Sequence, residues 1–213
     1  MMKVALIDYK MGNLFSIAHA CEKVGLEVEI TNNPEKIKNA DALILPGVGA
    51  YPLAIEQLYI QNLTEPIKDF ANTGKYIFGI CLGMQLFMDQ SNEFGVHQGL
   101  GLIEGEVLRF PESTTNTQPR FIPQIAWNNV SIEQPNHPLF KNIPNNEYFY
   151  FVHSNYVKTK STQNILCSTD YSNFKYSSAI VQDNLIGIQF HPEKSGIQGL
   201  KIFENYKELI YKR

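Results

Sequence analysis

The sequence has few cysteines, and they are not arranged for disulfides or metals. Its 213 residues include only Cys21, Cys81 and Cys167, with no Cys-x-x-Cys pair. An odd and widely spaced set excludes the paired framework of a small secreted protein, so a reducing, cytoplasmic location is expected. The five histidines show no spacing typical of metal ligands either. We therefore expect no metal and no cofactor.

Long apolar runs and blocks of one charge are also absent from the sequence. No hydrophobic stretch approaches the roughly 20 residues that span a bilayer, and residues 1–8 look like a first strand rather than a signal peptide. The 18 Lys and Arg against 21 Asp and Glu give a formal charge of −3, with no basic run suited to nucleic acid. We therefore expect neither a membrane nor a nucleic-acid partner. The 44% of hydrophobic residues fits a single globular domain over 1–213.

Strands and helices alternate in the first half of the sequence. The strand candidates are nearly all apolar, which is typical of parallel strands buried on both faces, and alternation with helices predicts right-handed crossovers. Strands are predicted at 3–8, 27–31, 42–45 and 76–80, and helices at 14–24, 53–58, 65–72 and 84–88. The fold class is therefore α/β, with a mostly parallel open sheet flanked by helices.

The second half has a different pattern of short strand candidates separated by prolines and asparagines. We interpret these as antiparallel additions to one edge of the sheet. The candidates are 105–110, 130–132, 148–157 and 164–169, followed by a hairpin over 179–188 with an Asp183-Asn184 turn and a closing helix over 200–211. Residues 111–119 form the best candidate for a flexible loop.

Cys81 has the local sequence of a nucleophile. It ends an apolar strand, has Gly79 and Gly83 on either side, and precedes a helix candidate. This is the cysteine version of the nucleophile elbow, in which a strained strand-to-helix turn exposes a reactive side chain at the top of a sheet. An isolated cysteine is more often a buried structural residue. The two flanking glycines favour the catalytic interpretation here.

His191-Pro192-Glu193 offers a base for that nucleophile. The second hairpin strand leads directly into His191, and the proline fixes the backbone between the two ionisable residues. Glu193 can then hold one ring nitrogen while the other serves Cys81, as in a catalytic triad. The alternative for a lone histidine at a strand end is a structural hydrogen bond. We regard His153 as such a structural residue that shapes the pocket.

A glycine-rich loop, Pro46-Gly47-Val48-Gly49, follows the third strand. In a parallel sheet it lies at the carboxyl edge, the same edge as Cys81, where ligands bind in open α/β folds. Its peptide N–H groups could form an oxyanion hole. The pattern is weak alone, because a plain tight turn has the same composition.

Together, these three motifs resemble the signatures of the class I, triad-type glutamine amidotransferases. Further stretches are similar to the glutaminase subunits of imidazole glycerol phosphate synthases. These stretches are Asp8-Tyr-Lys-Met-Gly-Asn-Leu14, Gly99-Leu-Gly-Leu-Ile103, Tyr150-Phe-Val-His-Ser154 and His191-Pro-Glu-Lys-Ser-Gly196. The resemblance covers residues 8 to about 205, with no synthetase domain attached.

The resemblance implies a role for each matching residue. Cys81, His191 and Glu193 would be catalytic, and the N–H groups of Val48 and Leu82 would hold the oxyanion. Gly47, Gly49, Gln85 and Ser154 would bind L-glutamine. Ammonia would pass to a partner in a heterodimer, a (β/α)8-barrel cyclase of histidine biosynthesis, across a face that includes Asn13, Trp127, Asn128 and Lys194. The loop at Val48 would need the partner to reorient, so the lone subunit would have low activity.

Residues 123–128 depart from the family pattern. Gln124 and Ala126 replace a histidine and a glycine, and Asn155 stands where a tyrosine is usual. Because of the Gln124 and Ala126 pair, an alternative stays open in which this chain is a paralogue that delivers ammonia to a partner making surface sugars. A stand-alone γ-glutamyl cysteine hydrolase and a catalytically silent subunit are also open. The complete triad argues against the silent subunit.

Overall fold

The computed structural model describes residues 2–113 and 119–212. Its first half alternates strands with helices, as the sequence predicted. The elements are β1 (Val4–Ile7), α1 (Leu14–Lys23), β2 (Val28–Thr31), α2 (Pro34–Lys38), β3 (Ala42–Leu45), α3 (Tyr51–Ile60), α4 (Thr64–Asn72), β4 (Ile77–Ile80) and α5 (Leu82–Gln85).

The second half is rich in strands and ends in a long helix. It contains β5 (Gln90–Ser91), β6 (His97–Gln98), β7 (Gly105–Arg109), β8 (Gln124–Ile132), β9 (Glu147–His153), β10 (Asn155–Thr159), β11 (Ile165–Asp170), β12 (Lys175–Gln182), β13 (Leu185–Ile188) and α6 (Gly196–Tyr211). Short 3₁₀ turns lie at Pro138–Phe140, Thr162–Asn164 and Pro192–Lys194.

The strands form one sheet with the order β2-β1-β3-β4-β13-β12-β10-β7-β5-β6. The strands from β2 to β13 pair in parallel. Beyond β13, β12, β10 and β7 follow with antiparallel pairing, and β11, β8 and β9 branch from β12. A parallel centre with antiparallel strands added on one side confirms the predicted fold class.

The four inner parallel strands, β1, β3, β4 and β13, are buried on both faces, which explains why their sequences are wholly apolar. The edge strand β2 is partly exposed and carries polar residues. In β1, Leu6 belongs to one hydrophobic cluster and Ile7 to the other. Helices α1 and α6 cover the first face with residues such as Ile17 and Phe203. Helices α2, α3 and α4 cover the second, with Leu58 among the buried residues. Buried apolar area on each face is the main stabilising contribution to this architecture.

Three local predictions differ from the structure. The strand predicted over 148–157 is broken at Ser154, because β9 pairs with β8 whereas β10 pairs with β7 and β12. The helix predicted over 84–88 is instead the short α5, which begins directly after Cys81. Helix α2 was missed, although Asn33 caps it by accepting a hydrogen bond from the N–H of Glu35. Of the predicted loop 111–119, residues 114–118 lie outside the described residues.

Candidate active site

The candidate catalytic segments follow the carboxyl ends of neighbouring parallel strands. Strand β4 ends immediately before Cys81, and β13 ends three residues before His191. The two strands finish level, because Ile80 and Ile188 are register partners. Strand β3, on the other side of β4, leads into residues 46–49. The parallel topology therefore brings all three sequence motifs to one edge of the sheet.

Cys81 lies on a strained turn. Its φ is +55° and its ψ is −110°, a backbone conformation that residues with a Cβ rarely adopt. Its N–H donates to the carbonyl of Ile188 at 2.7 Å, and its own carbonyl accepts from Met84 at 3.0 Å. These bonds fix the turn between the end of the sheet and the first residues of α5. Cys81 is 6% exposed and lines a cavity.

The glycines on either side of Cys81 have the steric role that the sequence suggested. A Cβ on Gly79 would lie 2.7 Å from the ring of Phe87. A Cβ on Gly83 would overlap the carbonyl oxygen of Leu45, the last residue of β3. The backbone after Cys81 therefore packs directly against the strand next to β4, which only glycine allows.

His191 and Glu193 form a buried pair. The Nδ1–H of His191 donates to the Glu193 Oε1 over 2.7 Å, and both side chains are almost completely shielded from solvent. The Asn13 amide donates to the same Oε1 at 3.3 Å. The His191 Nε2 makes no hydrogen bond within residues 2–113 and 119–212, and it lines the same cavity as Cys81. It is therefore available to carry a proton to or from a bound ligand.

The protonation of His191 depends on its charged neighbours. Burial opposes the charged ring, but the thiolate of Cys81 and the carboxylate of Glu193 outweigh it and raise the pKa of His191. The arrangement therefore favours the protonated ring of His191 next to the sulfur of Cys81. An imidazolium beside a thiolate is the reactive form of a cysteine nucleophile.

A cavity of about 230 Å³ lies over the thiol, a volume that fits a small polar molecule. Gly49, Leu82, Gln85 and Ser154 contribute to its walls. Gly47 does not line it. A Cβ on Gly47 would meet the Tyr9 hydroxyl at 2.6 Å, because this glycine packs behind the turn.

The loop at Val48 is turned away from an oxyanion position. The N–H of Val48 donates to the carbonyl of Met11 at 3.3 Å, although this residue lines the cavity. The N–H of Leu82 belongs to the first residue of α5 and therefore has no partner within that helix. One of the two expected oxyanion donors thus has no helical partner, whereas the other requires rotation of a peptide. Gly49, with φ at +96°, provides a flexible position next to it.

The Gln85 amide is held by two acceptors. Its Nε2 donates to the Gln189 Oε1 at 2.9 Å and to the Asn155 carbonyl at 3.3 Å. Both amide hydrogens are therefore used, and the carbonyl oxygen is the group left for a ligand. This contact also explains the substitution at 155, because only the backbone of Asn155 is used here.

Two polar residues that line or support the cavity were missed from the sequence. Glu93, between β5 and β6, contributes a carboxylate to the cavity wall, where its Oε2 accepts the N–H of Tyr51 at 2.7 Å. Gln189 is completely buried and donates its Nε2 to the Cys81 Sγ at 3.5 Å. The sequence did offer a signal for Gln189, because it lies two residues before the expected base, His191, just after the same strand. Nothing local pointed to Glu93.

His153 is buried and neutral. Its Nδ1 donates to the Asn155 carbonyl at 2.8 Å, and its Nε2 lies 3.2 Å from the hydroxyl of Tyr176. Burial lowers the pKa of His153 to about 4, further helped by the charge of His191 and partly opposed by the bond to Asn155. These contacts fit the structural role predicted for it.

The residues expected to face a partner lie at the same end of the molecule. Trp127 is 53% exposed and packs edge-to-face on Tyr150, and the Lys194 Nζ lies 5.8 Å from the centre of the same ring. Asn128 donates to the carbonyl of Asp170. Asn13 contacts Glu193, so it belongs to the catalytic pair as well.

The substitutions at 124 and 126 do not form a surface patch. Gln124 is fully buried, and its Oε1 accepts a hydrogen bond from the Tyr176 hydroxyl at 3.0 Å. Ala126 is partly exposed. The side chain of Gln124 points inward, because successive residues of a β-strand alternate in direction.

Within residues 2–113 and 119–212, no group of three or more His, Cys, Asp or Glu could hold a metal ion. In the same ranges, none of the helices combines the length and the apolar character needed to cross a membrane.

Comparisons with known proteins agree with this geometry. The family model described as glutamine amidotransferase class-I matches residues 5–207. The chain is 45% identical over 211 residues to "Imidazole glycerol phosphate synthase subunit HisH" of Methanosarcina mazei, covering 98% of this chain and 100% of that one. It is 44% identical to the protein of the same name from Sulfurimonas denitrificans, covering 95% and 96%.

A solved structure gives the same fold. PurLQS from Thermotoga maritima superposes with a TM-score of 0.75 at 19% identity, over 100% of this chain and 99% of that one. The fold, the family match and the near-complete coverage of the relatives agree. The chain belongs to the class I glutamine amidotransferase family.

Proposed function

We propose that the chain is the glutaminase subunit of an imidazole glycerol phosphate synthase and hydrolyses L-glutamine for a partner subunit. The observation that carries the proposal is the arrangement of Cys81, His191 and Glu193 around one small cavity. The relatives named as subunits of that synthase support the choice of pathway. The ring-forming lyase step belongs to the partner, and this chain supplies its ammonia.

In the first step, the Cys81 thiolate attacks the side-chain carboxamide carbon of glutamine. His191, protonated beside the thiolate, gives its Nε2 proton to the departing ammonia, and a glutamyl thioester remains on Sγ. Glu193 holds Nδ1–H throughout and stabilises the imidazolium. In the second step, neutral His191 removes a proton from water, and the resulting hydroxide attacks the thioester. Glutamate leaves, and the thiolate and imidazolium are restored.

Substrate recognition follows from the charges that face the cavity. The α-ammonium of glutamine fits the Glu93 carboxylate and the free carbonyl oxygen of Gln85. Gly49 and Ser154 line the cavity close to the remaining polar groups of the substrate. Gly47 then acts by packing behind the loop rather than by direct contact.

The orientation of the Val48 peptide controls the rate of glutamine hydrolysis. Its N–H is occupied by the carbonyl of Met11, so the oxyanion would have only the donor at Leu82. Removing one oxyanion donor typically costs about 10²–10³-fold in rate. The isolated chain is therefore nearly inactive until a partner turns that peptide.

The partner is a (β/α)8-barrel cyclase that binds across the face containing Trp127, Asn128 and Lys194. The proposed site of the reaction is the cytoplasm, which remains a prediction from the sequence. The surface-sugar alternative was based on Gln124 and Ala126, and the burial of Gln124 removes half of that argument. A stand-alone hydrolase would need no partner and would be fully active by itself.

The test measures glutamate release from glutamine by the chain alone and with a histidine-pathway cyclase plus its ribotide ligand. We expect stimulation of at least 100-fold, on the order of one restored oxyanion donor. Equal activity without the cyclase would indicate a stand-alone hydrolase. In the complex, Cys81→Ala should abolish glutamine-dependent turnover and leave the ammonium-dependent reaction intact. Cys167→Ala, which changes a buried cysteine that does not line the cavity, is the matched control and should retain both activities.

A further inference from the structure

Gln189 is a buried amide that the triad does not use. It stands between the end of β13 and His191, and its side chain is completely shielded from solvent. The N–H of its backbone donates to the Ser178 carbonyl at 2.9 Å, so its main chain continues the pairing of β13 with β12. The position of this side chain is therefore fixed by the sheet rather than by a loop.

The side chain of Gln189 contacts two functional groups at once. Its Nε2 lies 3.5 Å from the Cys81 Sγ, within the usual range for an N–H donor and sulfur. Its Oε1 accepts from the Gln85 Nε2 at 2.9 Å. A thiolate accepts but cannot donate, so the nitrogen of Gln189 must face the sulfur and the oxygen must face Gln85.

We propose that Gln189 is a positioning residue that stabilises the Cys81 thiolate with its amide N–H and fixes the orientation of Gln85 with its amide oxygen. The proposal rests on the proposed function only for the role of Gln85 in glutamine binding. The contact with Sγ concerns the chemistry of the thiol, whatever the substrate is.

The first half of the proposal follows from burial. A hydrogen bond to a charged acceptor is stronger than one between neutral groups, and the difference grows where water is excluded. Cys81 is nearly buried, so few waters can solvate its negative charge. Replacing the Gln189 amide by an apolar side chain therefore removes a donor that the thiolate uses and the neutral thiol hardly needs.

The second half follows from the orientation of an amide. If the oxygen of Gln189 were absent, the Gln85 Nε2 would keep only its longer bond to the Asn155 carbonyl. The Gln85 amide could then rotate and present N–H instead of C=O to the cavity. That change would repel an ammonium group and weaken substrate binding without altering the nucleophile.

Two substitutions separate these roles. Gln189→Met loses both contacts at similar volume. Gln189→Glu keeps an acceptor for Gln85 but places a second negative charge beside Sγ, which disfavours the thiolate. Gln124→Met is the matched control, because it also removes a fully buried amide but has no contact with Cys81.

The first measurement is the rate of Cys81 alkylation by iodoacetamide against pH, with Cys81 modification read by peptide mass spectrometry. The midpoint should rise by about one pH unit in Gln189→Met and by more in Gln189→Glu. It should not move in Gln124→Met. The other titratable groups around the site are His191, Glu193, Tyr9, Glu93 and His153, and all are unchanged in these variants.

The second measurement is glutamine turnover by the complex with the cyclase. KM should rise about tenfold in Gln189→Met and stay within about twofold in Gln189→Glu, whereas kcat falls in both. An unchanged alkylation midpoint in either variant, with cooperative thermal unfolding retained, would overturn the thiolate role. An equal rise in Gln124→Met would do the same. Equal KM values in the two variants at position 189 would overturn the role for Gln85.

The two arms also distinguish this inference from the proposed function. Alkylation of Cys81 requires no glutamine. If the chain without substitutions is alkylated normally but never releases glutamate, that result would count against the proposed function alone. If Gln189→Met does not fold, Gln189→Glu decides the thiolate arm by itself.

Discussion

At the scale of single residues, two histidines of the same site are kept in opposite protonation states. His191 faces the sulfur of Cys81 and the carboxylate of Glu193, and these raise its pKa despite burial. His153 faces a carbonyl and a hydroxyl, so burial dominates and lowers its pKa to about 4. The difference between the two pKa values follows from the neighbouring groups and not from the histidines themselves. Such differences are common in sites that carry out acid–base chemistry.

The neutral state of His153 predicts a pH-dependent stability. The unfolded chain protonates this histidine near its ordinary pKa of 6.5, whereas the folded chain does so only near 4. Between these values the unfolded state binds more protons, so stability should fall as pH falls from 6.5 to 4, by about 3 kcal/mol. His191 has its pKa raised by folding and is protonated in both states below 6.5, so it adds no slope in this window.

Urea unfolding at several pH values would measure this dependence. His153→Asn, which can still donate to the Asn155 carbonyl, should remove most of the slope between pH 6.5 and 4. His19→Asn, which changes an exposed histidine of α1, should retain it. The same slope in His153→Asn as in the unmodified chain would contradict the assignment.

At the scale of elements, the strand-to-helix turn depends on a close approach between β3 and the start of α5. Gly83→Ala would place a Cβ on the backbone oxygen of Leu45, and a strand carbonyl in mid-sheet cannot move away. We expect a loss of about 3 kcal/mol in the free energy of unfolding, at the upper end of the range for overpacking. Catalysis should fall as well, because the turn carries Cys81.

Gly25→Ala is the matched control for this prediction. Gly25 has a positive φ, at +68°, which Gly83 does not, but a Cβ there would meet nothing closer than 3.7 Å. The control should therefore lose only about 1 kcal/mol from backbone strain, with no effect on turnover. Chemical denaturation of the two variants measures the difference, and equal losses would mean that steric overlap at Gly83 is unimportant.

Elements with a repeating pattern were predictable, and those defined by a change of partner were not. The range of β3 was predicted correctly, because a strand buried on both faces is apolar throughout. The break at Ser154 has no local signal, since residues 148–157 alternate in a way that suits one continuous strand. The segment is divided because its first half, β9, pairs with β8 and its second half, β10, pairs with β7. Pairing between distant segments cannot be seen along the sequence.

The candidate site shows the same limit. Cys81, His191 and Glu193 could be found because each lies in a short motif whose spacing carries the chemistry. Glu93 could not, because it approaches the cavity only after β5 pairs with β7 and turns the chain back over α3. The orientation of the Val48 peptide was also beyond the sequence, since it depends on a single contact with Met11.

At the scale of the whole molecule, one apolar face stands out beside the cavity. The outward residues of β8 and β9 include Ile125, Trp127 and Tyr148, which are 60%, 53% and 55% exposed. Trp127 pairs with Tyr150 across the two strands. Lys194, in the turn after His191, lies over the ring of Tyr150. An aromatic cluster with an adjacent cation has the composition of an interface centre. It lies on the same side as the catalytic pair, so a partner there could affect the site directly.

Trp127→Ala should therefore weaken binding of the cyclase without affecting the fold. Truncating a central aromatic residue typically costs at least 2 kcal/mol, which is about a 30-fold rise in Kd. Tyr59→Ala is the control, because Tyr59 is also exposed but lies near the end of α3, away from the edge where β4 and β13 finish. Titration calorimetry measures both variants, and the loss of the chain's only tryptophan can be verified by fluorescence. In the proposed activation the partner turns the Val48 peptide, so stimulation in Trp127→Ala should return at saturating cyclase. Stimulation that stays low at saturation would mean that Trp127 transmits the change and does not only bind, and an unchanged Kd would remove this face from the interface.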